Sequence, residues 1–361
     1  MKLKKLFAGI VAVAMMATMA IPGFAAGKPS VNDGNKVTDV TLKKVYDVQS
    51  GTAPADDVTI TLAPVDGAPM PNKTTYKASF SNPVASTATA ADKVANFETI
   101  TFKDFGFTKP GKYTYTLTEI AGNKQGVEYQ QTVVYMTVSV TNKIDAQGNI
   151  VDVATGEDKF EYVVALRKGS AEGDDKIPVE AFTNEYNAGS MEVTKVVRGD
   201  GSDRDKPFYF KATFTKTSGK TVSGITVKAP TASEATALDL DFGEGNTAVY
   251  YFSEGHKQTT TFANIPSDVH VEIEELQEDH GAAVVNNKLG DYDVKYTNEK
   301  VTFGKGEGKT LKTVSTEIEN KSTVNVDTGV ILDNAPYIAL LTIVAAGAVV
   351  MIMKKRRNYE D

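Results

Sequence analysis

The sequence contains no cysteine, no tryptophan and only three histidines among its 361 residues. Without cysteine the chain has no disulfide, no thiolate nucleophile and no cysteine-ligated metal. The three histidines, His256, His270 and His280, have no metal-ligand spacing. We therefore expect no metal and no cofactor, and any covalent crosslink in this chain must use chemistry other than a disulfide.

Excess positive charge is also absent. The chain has 39 lysines and arginines against 46 aspartates and glutamates, a formal net charge of -7, and it lacks the basic patch that phosphate binding requires. The glycine-rich segment 304–310 is one residue short of the P-loop spacing and lacks a βαβ context, so it predicts a turn. Nucleic-acid and nucleotide binding are thereby disfavoured.

Long apolar runs occur only at the two ends of the chain. At the N-terminus, lysines within residues 2–5 precede the apolar stretch 6–21 and the small residues 23–26. This order is typical of a secretory signal peptide covering residues 1–26. An uncleaved membrane anchor is the alternative, which the shortness of the apolar stretch disfavours.

The C-terminus carries a second topological signal. Residues 335–353 are uncharged and, at ~1.5 Å per residue, approach the ~30 Å of a bilayer core. The basic tail 354–361 is expected to stay in the cytoplasm. Because the polar motif Asn325-Val326-Asp327-Thr328-Gly329 precedes this span, we interpret residues 325–361 as a sorting signal that an enzyme cleaves between Thr328 and Gly329.

Between the two ends, apolar and polar residues alternate with period two, and Gly, Pro, Asn and Asp separate the runs. This pattern predicts antiparallel strands and an all-β chain, with two β-sandwiches. A small-residue break at 187–190 predicts domains at 36–187 and 190–322. The clearest alternating runs start at Val58, Tyr113, Val134, Phe208 and Val269.

Each predicted sandwich has a lysine, a glutamate and an asparagine whose parity on their strands points them inward. A buried lysine or glutamate is rare unless it is paired, because desolvating an isolated charge is costly. The alternative is that these residues end their strands and are solvated, which is easier to accept for one residue than for six. The first set is Lys44, Glu119 and Asn184, and the second is Lys195, Glu275 and Asn320.

Such a set supports one specific reaction, the formation of an intramolecular isopeptide bond. Burial lowers the pKa of a lysine, so its amine becomes neutral and nucleophilic. Burial raises the pKa of a glutamate, which can then donate to an amide carbonyl and relay protons as ammonia leaves. The product is an amide that a reducing agent does not cleave.

These features together resemble a known family. The order Lys, Glu, Asn in two tandem β-domains, the segment Phe107–Glu119, and the tail Val326–Gly329 with Ala335–Ala339 resemble the two-domain backbone pilins of Gram-positive bacteria, of the streptococcal T-antigen type. The resemblance covers essentially the whole chain, although the second domain matches more loosely. It implies two tandem Ig-like sandwiches of the collagen-adhesin B type in a structural subunit that catalyses no turnover.

The resemblance also implies the pairing of the crosslinks. The adjacent residues Lys43 and Glu274 remain register alternatives to the lysine of the first domain and the glutamate of the second. In both domains the bond would connect the first strand to the last. The implied bonds are Lys44 to Asn184, with Glu119 as catalyst, and Lys195 to Asn320, with Glu275 as catalyst.

Polymerisation of these pilins requires an exposed lysine before a hydrophobic-Pro pair. Lys176 matches this pattern, because it is followed by Ile177 and Pro178 and preceded by the loop 173–175. The resemblance implies that Lys176 receives the acyl group of Thr328. A merely solvated loop lysine is the alternative reading, and Lys168 is the nearest competitor. The motif has Asp327 where these signals commonly carry proline, which implies a dedicated sortase.

The expected partners follow from the resemblance. They are a class C-type pilin sortase, a housekeeping sortase, identical pilin subunits, minor pilins, peptidoglycan and an unidentified host receptor. Two other functions remain open. One is a wall-anchored adhesin or minor pilin that does not polymerise, and the other is a secreted surface hydrolase, which the lack of a convincing acid/base pair disfavours.

Overall fold

A computed structural model of the protein describes residues 31–151, 159–173, 175–303 and 313–324. The predicted signal peptide, the turn at 304–310 and the sorting signal 325–361 lie outside these residues. None of the helical structure in the described part of the chain has the length and apolar character needed to cross a membrane.

The N-terminal half folds into short and long strands joined by turns, with a 3-10 helix at Phe102–Phe105. Its strands are β1 (Lys36–Val37), β2 (Asp39–Val40), β3 (Lys43–Val48), β4 (Thr52–Ala53), β5 (Asp56–Pro64), β6 (Thr75–Phe80), β7 (Val84–Ala85), β8 (Val94–Asn96), β9 (Ile100–Thr101), β10 (Gly111–Ile120), β11 (Val127–Glu128), β12 (Val134–Asn142), β13 (Phe160–Lys168) and β14 (Phe182–Tyr186).

These strands form two main sheets that face each other. The larger has six strands in the order β1-β13-β12-β10-β5-β6, and the smaller has four in the order β11-β14-β3-β8. Strand β5 alternates buried and outward residues from Asp56 to Leu62, as period-two patterning requires when one face of a sheet is buried. The inward residues of the two sheets form a main apolar core and a smaller cluster around Tyr46 and Tyr186.

The C-terminal half repeats this architecture. Its strands are β15 (Ala188–Arg198), β16 (Phe208–Thr215), β17 (Thr226–Lys228), β18 (Thr236–Ala237), β19 (Thr247–Glu254), β20 (Thr259–Pro266), β21 (Val269–Leu276), β22 (Lys288–Leu289), β23 (Tyr292–Tyr296), β24 (Lys300–Phe303) and β25 (Thr313–Ser322). A seven-stranded sheet, β18-β17-β20-β15-β25-β23-β22, faces a four-stranded sheet, β19-β16-β21-β24. The prediction of an all-β chain with two tandem sandwiches is confirmed.

The first long strand and the last strand of each sandwich are neighbours. Strand β3 pairs in parallel with β14, and β15 pairs in parallel with β25. The other pairings between the strands named above are antiparallel. Because each parallel pair joins the beginning of a domain to its end, any covalent bond between its strands closes nearly the whole domain into a ring.

The two sandwiches meet through several hydrogen bonds, which include those of two amide side chains and backbone hydrogen bonds of Thr221 with residues 123 and 125. Asn264 Nδ2 donates to the carbonyl of Thr52 over 3.0 Å, and Asn264 Oδ1 accepts from the Thr52 N–H over 2.8 Å. Gln125, only 4% exposed, donates to the carbonyl of Ser267 and accepts from the N–H of Thr217. Strand β15 starts two residues after β14 ends, so the connection is short as well as hydrogen bonded.

Candidate functional site

The N-terminal sandwich brings Lys44, Glu119 and Asn184 together in its interior. Their exposed fractions are 0%, 5% and 1%. Lys44 Nζ donates to Glu119 Oε2 over 2.6 Å and to Asn184 Oδ1 over 2.5 Å. Lys44 and Asn184 lie on neighbouring strands of the smaller sheet, whereas Glu119 reaches them from β10 in the facing sheet. The glutamate therefore spans the core to meet the two other side chains.

The carbonyl of Asn184 has a second hydrogen-bond donor. The backbone N–H of Gln130 donates to Asn184 Oδ1 over 2.9 Å. The side chain of Gln130 is itself held, because its Nε2 donates to the carbonyls of Thr132 and Ala181. A fixed N–H aimed at a carbonyl oxygen is the arrangement that stabilises negative charge on that oxygen during acyl transfer.

The electrostatics of this cluster follow from its burial. Desolvation lowers the pKa of Lys44 to about 8, against the opposing attraction of Glu119. Desolvation also raises the pKa of Glu119, and Lys44 only partly offsets this effect. Glu119 Oε1 has no hydrogen-bond partner among the described residues. Both shifts favour the neutral amine beside the neutral acid.

The C-terminal sandwich assembles an equivalent cluster from Lys195, Glu275 and Asn320, which are all 0% exposed. Lys195 Nζ donates to both carboxylate oxygens of Glu275, over 3.1 and 3.0 Å. Asn320 Nδ2 donates to Glu275 Oε1 over 2.7 Å. Here the glutamate, from β21 in the four-stranded sheet, contacts both of the other side chains, which belong to the seven-stranded sheet.

Aromatic rings complete this second site. Lys195 Nζ lies 4.5 Å from the ring centre of Phe208 and 5.6 Å from that of Phe210. Desolvation lowers the pKa of Lys195 to about 8 despite its contact with Glu275. Desolvation raises the pKa of Glu275, opposed mainly by Lys195. The two clusters thus share their residue types, their division between facing sheets and the direction of their pKa shifts.

The two register alternatives lie outside these clusters. Lys43 Nζ donates to Glu180 Oε1 over 2.7 Å, and Glu274 forms an ion pair with Lys211 over 2.6 Å. The side chains of both are partly exposed, as period-two alternation requires for the residue adjacent to a buried one. Of each adjacent pair, Lys44 and Glu275 are the members that face the core.

The lysine predicted to accept the next subunit lies at the surface. Lys176 is exposed, and its Nζ donates to the carbonyl of Asn32 over 3.2 Å. It forms an isolated bridge with Arg167 at the edge of β13. The competitor Lys168 donates through Nζ to Gln130 Oε1 over 3.2 Å. Thr328 and Gly329, between which cleavage is predicted, lie outside the described residues.

Sequence reasoning missed three groups that lie close to the clusters. Gln130 contributes a backbone N–H, for which no residue pattern gives a signal. Asp56 and Glu254 are buried carboxyl groups, 8% and 1% exposed, near Lys44 and Lys195 respectively. Parity could have identified both carboxyl groups, because Asp56 begins the alternating run that includes Val58, and Glu254 ends the inward-facing series of β19.

Comparison with protein-family models identifies the first half of the chain. Residues 40–187 match the model of the Spy0128-like isopeptide containing domain. Residues 189–322 match a model described as a domain of unknown function (DUF7601). The two matches divide the chain at the connection between β14 and β15.

Similarity to individual proteins extends over both sandwiches. The chain is 29% identical over 269 residues to a pilin from Streptococcus pyogenes serotype M1, covering 73% of this chain and 72% of the pilin. Similar solved structures include the major pilin protein T3.2 from S. pyogenes, with 20% identity and a TM-score of 0.48 over 79% of this chain and 98% of that one. Another is a major pilin from S. pyogenes, with 21% identity and a TM-score of 0.46 over 79% and 98% of the two chains. Residues 40–187 thus belong to the family of Spy0128-like isopeptide containing domains, and the chain is similar to a pilin across both sandwiches.

Proposed function

We propose that this protein is a pilin, the backbone subunit of a covalently polymerised cell-surface pilus, and that each of its two sandwiches closes itself with a Lys–Asn isopeptide bond. The observation that carries the proposal is the repeated buried cluster, in which a lysine and an asparagine on adjacent parallel strands meet a glutamate from the facing sheet. One such cluster is compatible with an ordinary buried ion pair. Its repetition with the same residue types and division between sheets favours a shared chemical role.

In the N-terminal sandwich, the reaction begins with transfer of a proton from the Lys44 ammonium to the Glu119 carboxylate. The neutral Nζ attacks Cγ of Asn184, forming an N–C bond while negative charge develops on Oδ1. The N–H of Gln130, 2.9 Å from that oxygen, stabilises the charge. Glu119 relays a proton from Nζ to Nδ2, the Cγ–Nδ2 bond breaks, and ammonia leaves.

In the C-terminal sandwich, Glu275 is suited to the same relay because it contacts Lys195 Nζ and Asn320 Nδ2 at once. It can take a proton from the amine and pass one to the departing amide nitrogen without changing its position. The apolar rings on the other side of Lys195 keep water away from the amine. A neutral amine has a free lone pair and can attack the carbonyl carbon, whereas an ammonium ion cannot.

The placement of the bonds suits a fibre under tension. Each would join the first long strand of a sandwich to its last, across a parallel strand pair that hydrogen bonds already connect. A force entering at one end of the domain and leaving at the other would then pass through an amide bond. The strands between the two attachment points would carry little load.

Assembly requires the surface lysine and the terminal signals. We assign Lys176 as the acceptor of the Thr328 acyl group of another copy, with cleavage between Thr328 and Gly329 by a pilin sortase. The exposure of Lys176 supports this role, since a sortase-bound thioacyl group must reach its amine. Anchoring to peptidoglycan by a housekeeping sortase, and association with minor pilins, belong to the same proposal.

The test is the intact mass of residues 27–328 produced without any sortase. Each isopeptide bond releases one ammonia, about 17 Da. We expect a deficit of two ammonias, with tryptic peptides that join Lys44 to Asn184 and Lys195 to Asn320. A mass equal to that calculated from the sequence would refute the crosslinks in both sandwiches.

A further inference from the structure

The C-terminal sandwich contains a second buried carboxyl group that the reaction above does not use. Glu254 is 1% exposed and lies at the end of β19, in the same sheet as Glu275. Its Oε2 has no hydrogen-bond partner among the described residues. A buried carboxyl group in an apolar interior is costly, so its position next to a reactive site calls for a physical explanation.

Strand β16 separates Glu254 from Glu275. Glu254 pairs with Phe208 on one side of this strand, and Glu275 pairs with Phe210 on the other. Both glutamates share the inward face with these phenylalanines, and Lys195 Nζ lies over the two rings. The amine of the crosslink is therefore flanked by two carboxyl groups from the facing sheet.

Glu254 also organises the turn that joins β19 to β20. Its Oε1 accepts a hydrogen bond from the backbone N–H of Thr260 over 2.7 Å. Within the turn, the N–H of Gly255 donates to the side-chain oxygen of Gln258 over 2.7 Å. The carboxyl group thus ties the beginning of the turn to its end.

This turn holds the backbone of the reactive lysine on both sides. The N–H of Lys195 donates to the carbonyl of Gln258 over 3.0 Å, and the N–H of Lys257 donates to the carbonyl of Lys195 over 2.7 Å. Two residues further along β15, the N–H of Val197 donates to His256 Nδ1 over 3.0 Å. The position of Lys195 along its strand is therefore fixed by residues of the turn that Glu254 closes.

We propose that Glu254 is a positioning residue for the second crosslink: by accepting from Thr260 it fixes the turn 254–260, which holds Lys195 so that its amine meets Glu275 and Asn320. This role rests on the proposed function, because it presupposes that the bond forms. Burial raises the pKa of Glu254 to about 7, so its carboxyl group can accept this hydrogen bond without confining a full negative charge beside the amine.

The N-terminal sandwich provides a comparison within the same molecule. Its second buried carboxyl group, Asp56, accepts from the Tyr129 hydroxyl over 2.8 Å and not from the backbone of a turn that holds Lys44. Loss of the Glu254 carboxyl group should therefore affect the second crosslink and leave the first unchanged. Formation of the first crosslink serves as an internal control, because it shows that the translated chain folds and reacts normally in its N-terminal sandwich.

The experiment follows both bonds in the full chain during a cell-free translation pulse. Samples taken over time are digested, and the two crosslinked peptides are quantified by mass spectrometry in the wild type, Glu254→Ala and Glu254→Gln. Glu272→Ala is the matched control, because it removes a carboxylate of β21 that pairs with Lys300 on the outer face. Resistance to trypsin reports whether the C-terminal sandwich has folded.

We expect Glu254→Ala to lengthen the half-time of the second bond by about ten-fold or more, since small displacements of reacting groups have effects of that size. Glu254→Gln, which keeps an oxygen acceptor for Thr260, should stay within about two-fold of wild type, as should Glu272→Ala. A purely electrostatic role would not produce this rescue by glutamine, which lacks a titratable group.

Three outcomes would overturn the proposal. The first is a wild-type rate in Glu254→Ala, and the second is a glutamine variant as slow as the alanine variant. If Glu254→Ala does not fold, Gln258→Ala is measured in its place, because it removes the acceptor for the Gly255 N–H and should slow formation of the second bond. A wild-type rate of bond formation in Gln258→Ala would be the third outcome. A wild-type chain that never loses the second ammonia would instead refute the proposed crosslink itself.

Discussion

Asn184 lies two residues beyond the position of β14 that pairs with Lys44, which is Phe182. The C-terminal sandwich has the same offset, since Lys195 pairs with Ile318 and Asn320 follows two positions later. Residues two apart on a strand share a face, so in both domains the asparagine side chain lies diagonally across from the lysine. A shared register in two domains of different sequence indicates that the offset itself is a requirement of the site.

The first prediction concerns the catalyst of the first bond. Glu119→Ala removes the proton relay, so the protein should fold but lose one ammonia instead of two. Lys44 and Asn184 are 140 positions apart, and an open loop of that length should reduce stability by about 4 to 5 kcal/mol in the chain-entropy description. Calorimetry should show the N-terminal transition lowered by on the order of 10 °C.

Glu275→Ala is the matched control for that measurement. It should remove the second bond and leave the first. The two variants have the same composition, so their masses should be equal, whereas their crosslinked peptides should differ. Persistence of the Lys44–Asn184 peptide in Glu119→Ala would rule out Glu119 as the catalyst.

The second prediction concerns pH and uses Asn184→Ala, in which Lys44 cannot be crosslinked and stays titratable. Burial lowers the pKa of Lys44 from 10.5 to about 8, so between these values the unfolded chain binds more protons than the folded one. The contribution of Lys44 to stability should therefore rise with pH across this range, by at most about 1.4 kcal/mol per pH unit. Chemical denaturation at pH 8, 9 and 10 measures the slope.

Wild-type protein is the control, since its Nζ has become an amide nitrogen that does not titrate. The difference in unfolding free energy between wild type and variant should narrow from pH 8 to pH 10. Buried tyrosines such as Tyr46, whose pKa burial raises, are common to both proteins and cancel in the difference. A gap that stays constant or widens would contradict a buried, titratable Lys44.

The third prediction addresses polymerisation. In cells that produce the pilus, Lys176→Ala and Lys176→Arg should abolish the ladder of high-mass polymers, because neither side chain offers a primary amine at that position. Lys168→Ala is the matched control and should leave the ladder intact. Immunoblots of cell-wall extracts distinguish the cases. A ladder that persists without Lys176 would place the intermolecular bond on another lysine, and a wild-type strain without any ladder would favour a non-polymerising surface protein.

Much of each candidate site could be predicted because strand parity is a strong signal. Lys44 stands in the run Val40, Leu42, Lys44, Tyr46, Val48, and these five residues are all at most 3% exposed. One face of a strand is buried as a unit, so a polar residue in register with apolar ones is buried with them. The same rule favoured Lys44 over Lys43 and Glu275 over Glu274, which stayed open as alternatives until the structure placed Lys44 and Glu275 in the core.

Other features depend on pairing between distant segments, which periodicity does not encode. Alternation gives the inward face of β10 but not the sheet to which β10 belongs, so it could not reveal that Glu119 approaches Lys44 from across the core. The donor from Gln130 is a backbone N–H in a loop. The turn around Glu254 acts on Lys195 through main-chain hydrogen bonds. Contacts of this kind become visible only when the fold is known.

The last prediction concerns the connection between the sandwiches, in which two amide side chains take part, Gln125 from a loop and Asn264 from β20. Gln125→Ala combined with Asn264→Gly removes the hydrogen bonds to Thr52, Thr217 and Ser267, and each buried group left unpaired costs about 1 to 3 kcal/mol. Glycine suits position 264, where φ is +55°. Small-angle scattering should show a wider distribution of domain orientations, while both crosslinks still form. Gln131→Ala, whose side chain donates to the carbonyl of Tyr129 in its own domain, is the control. A double variant that scatters like this control would show that the remaining contacts, which include the backbone hydrogen bond between Gln125 and Thr221, keep the domains in place.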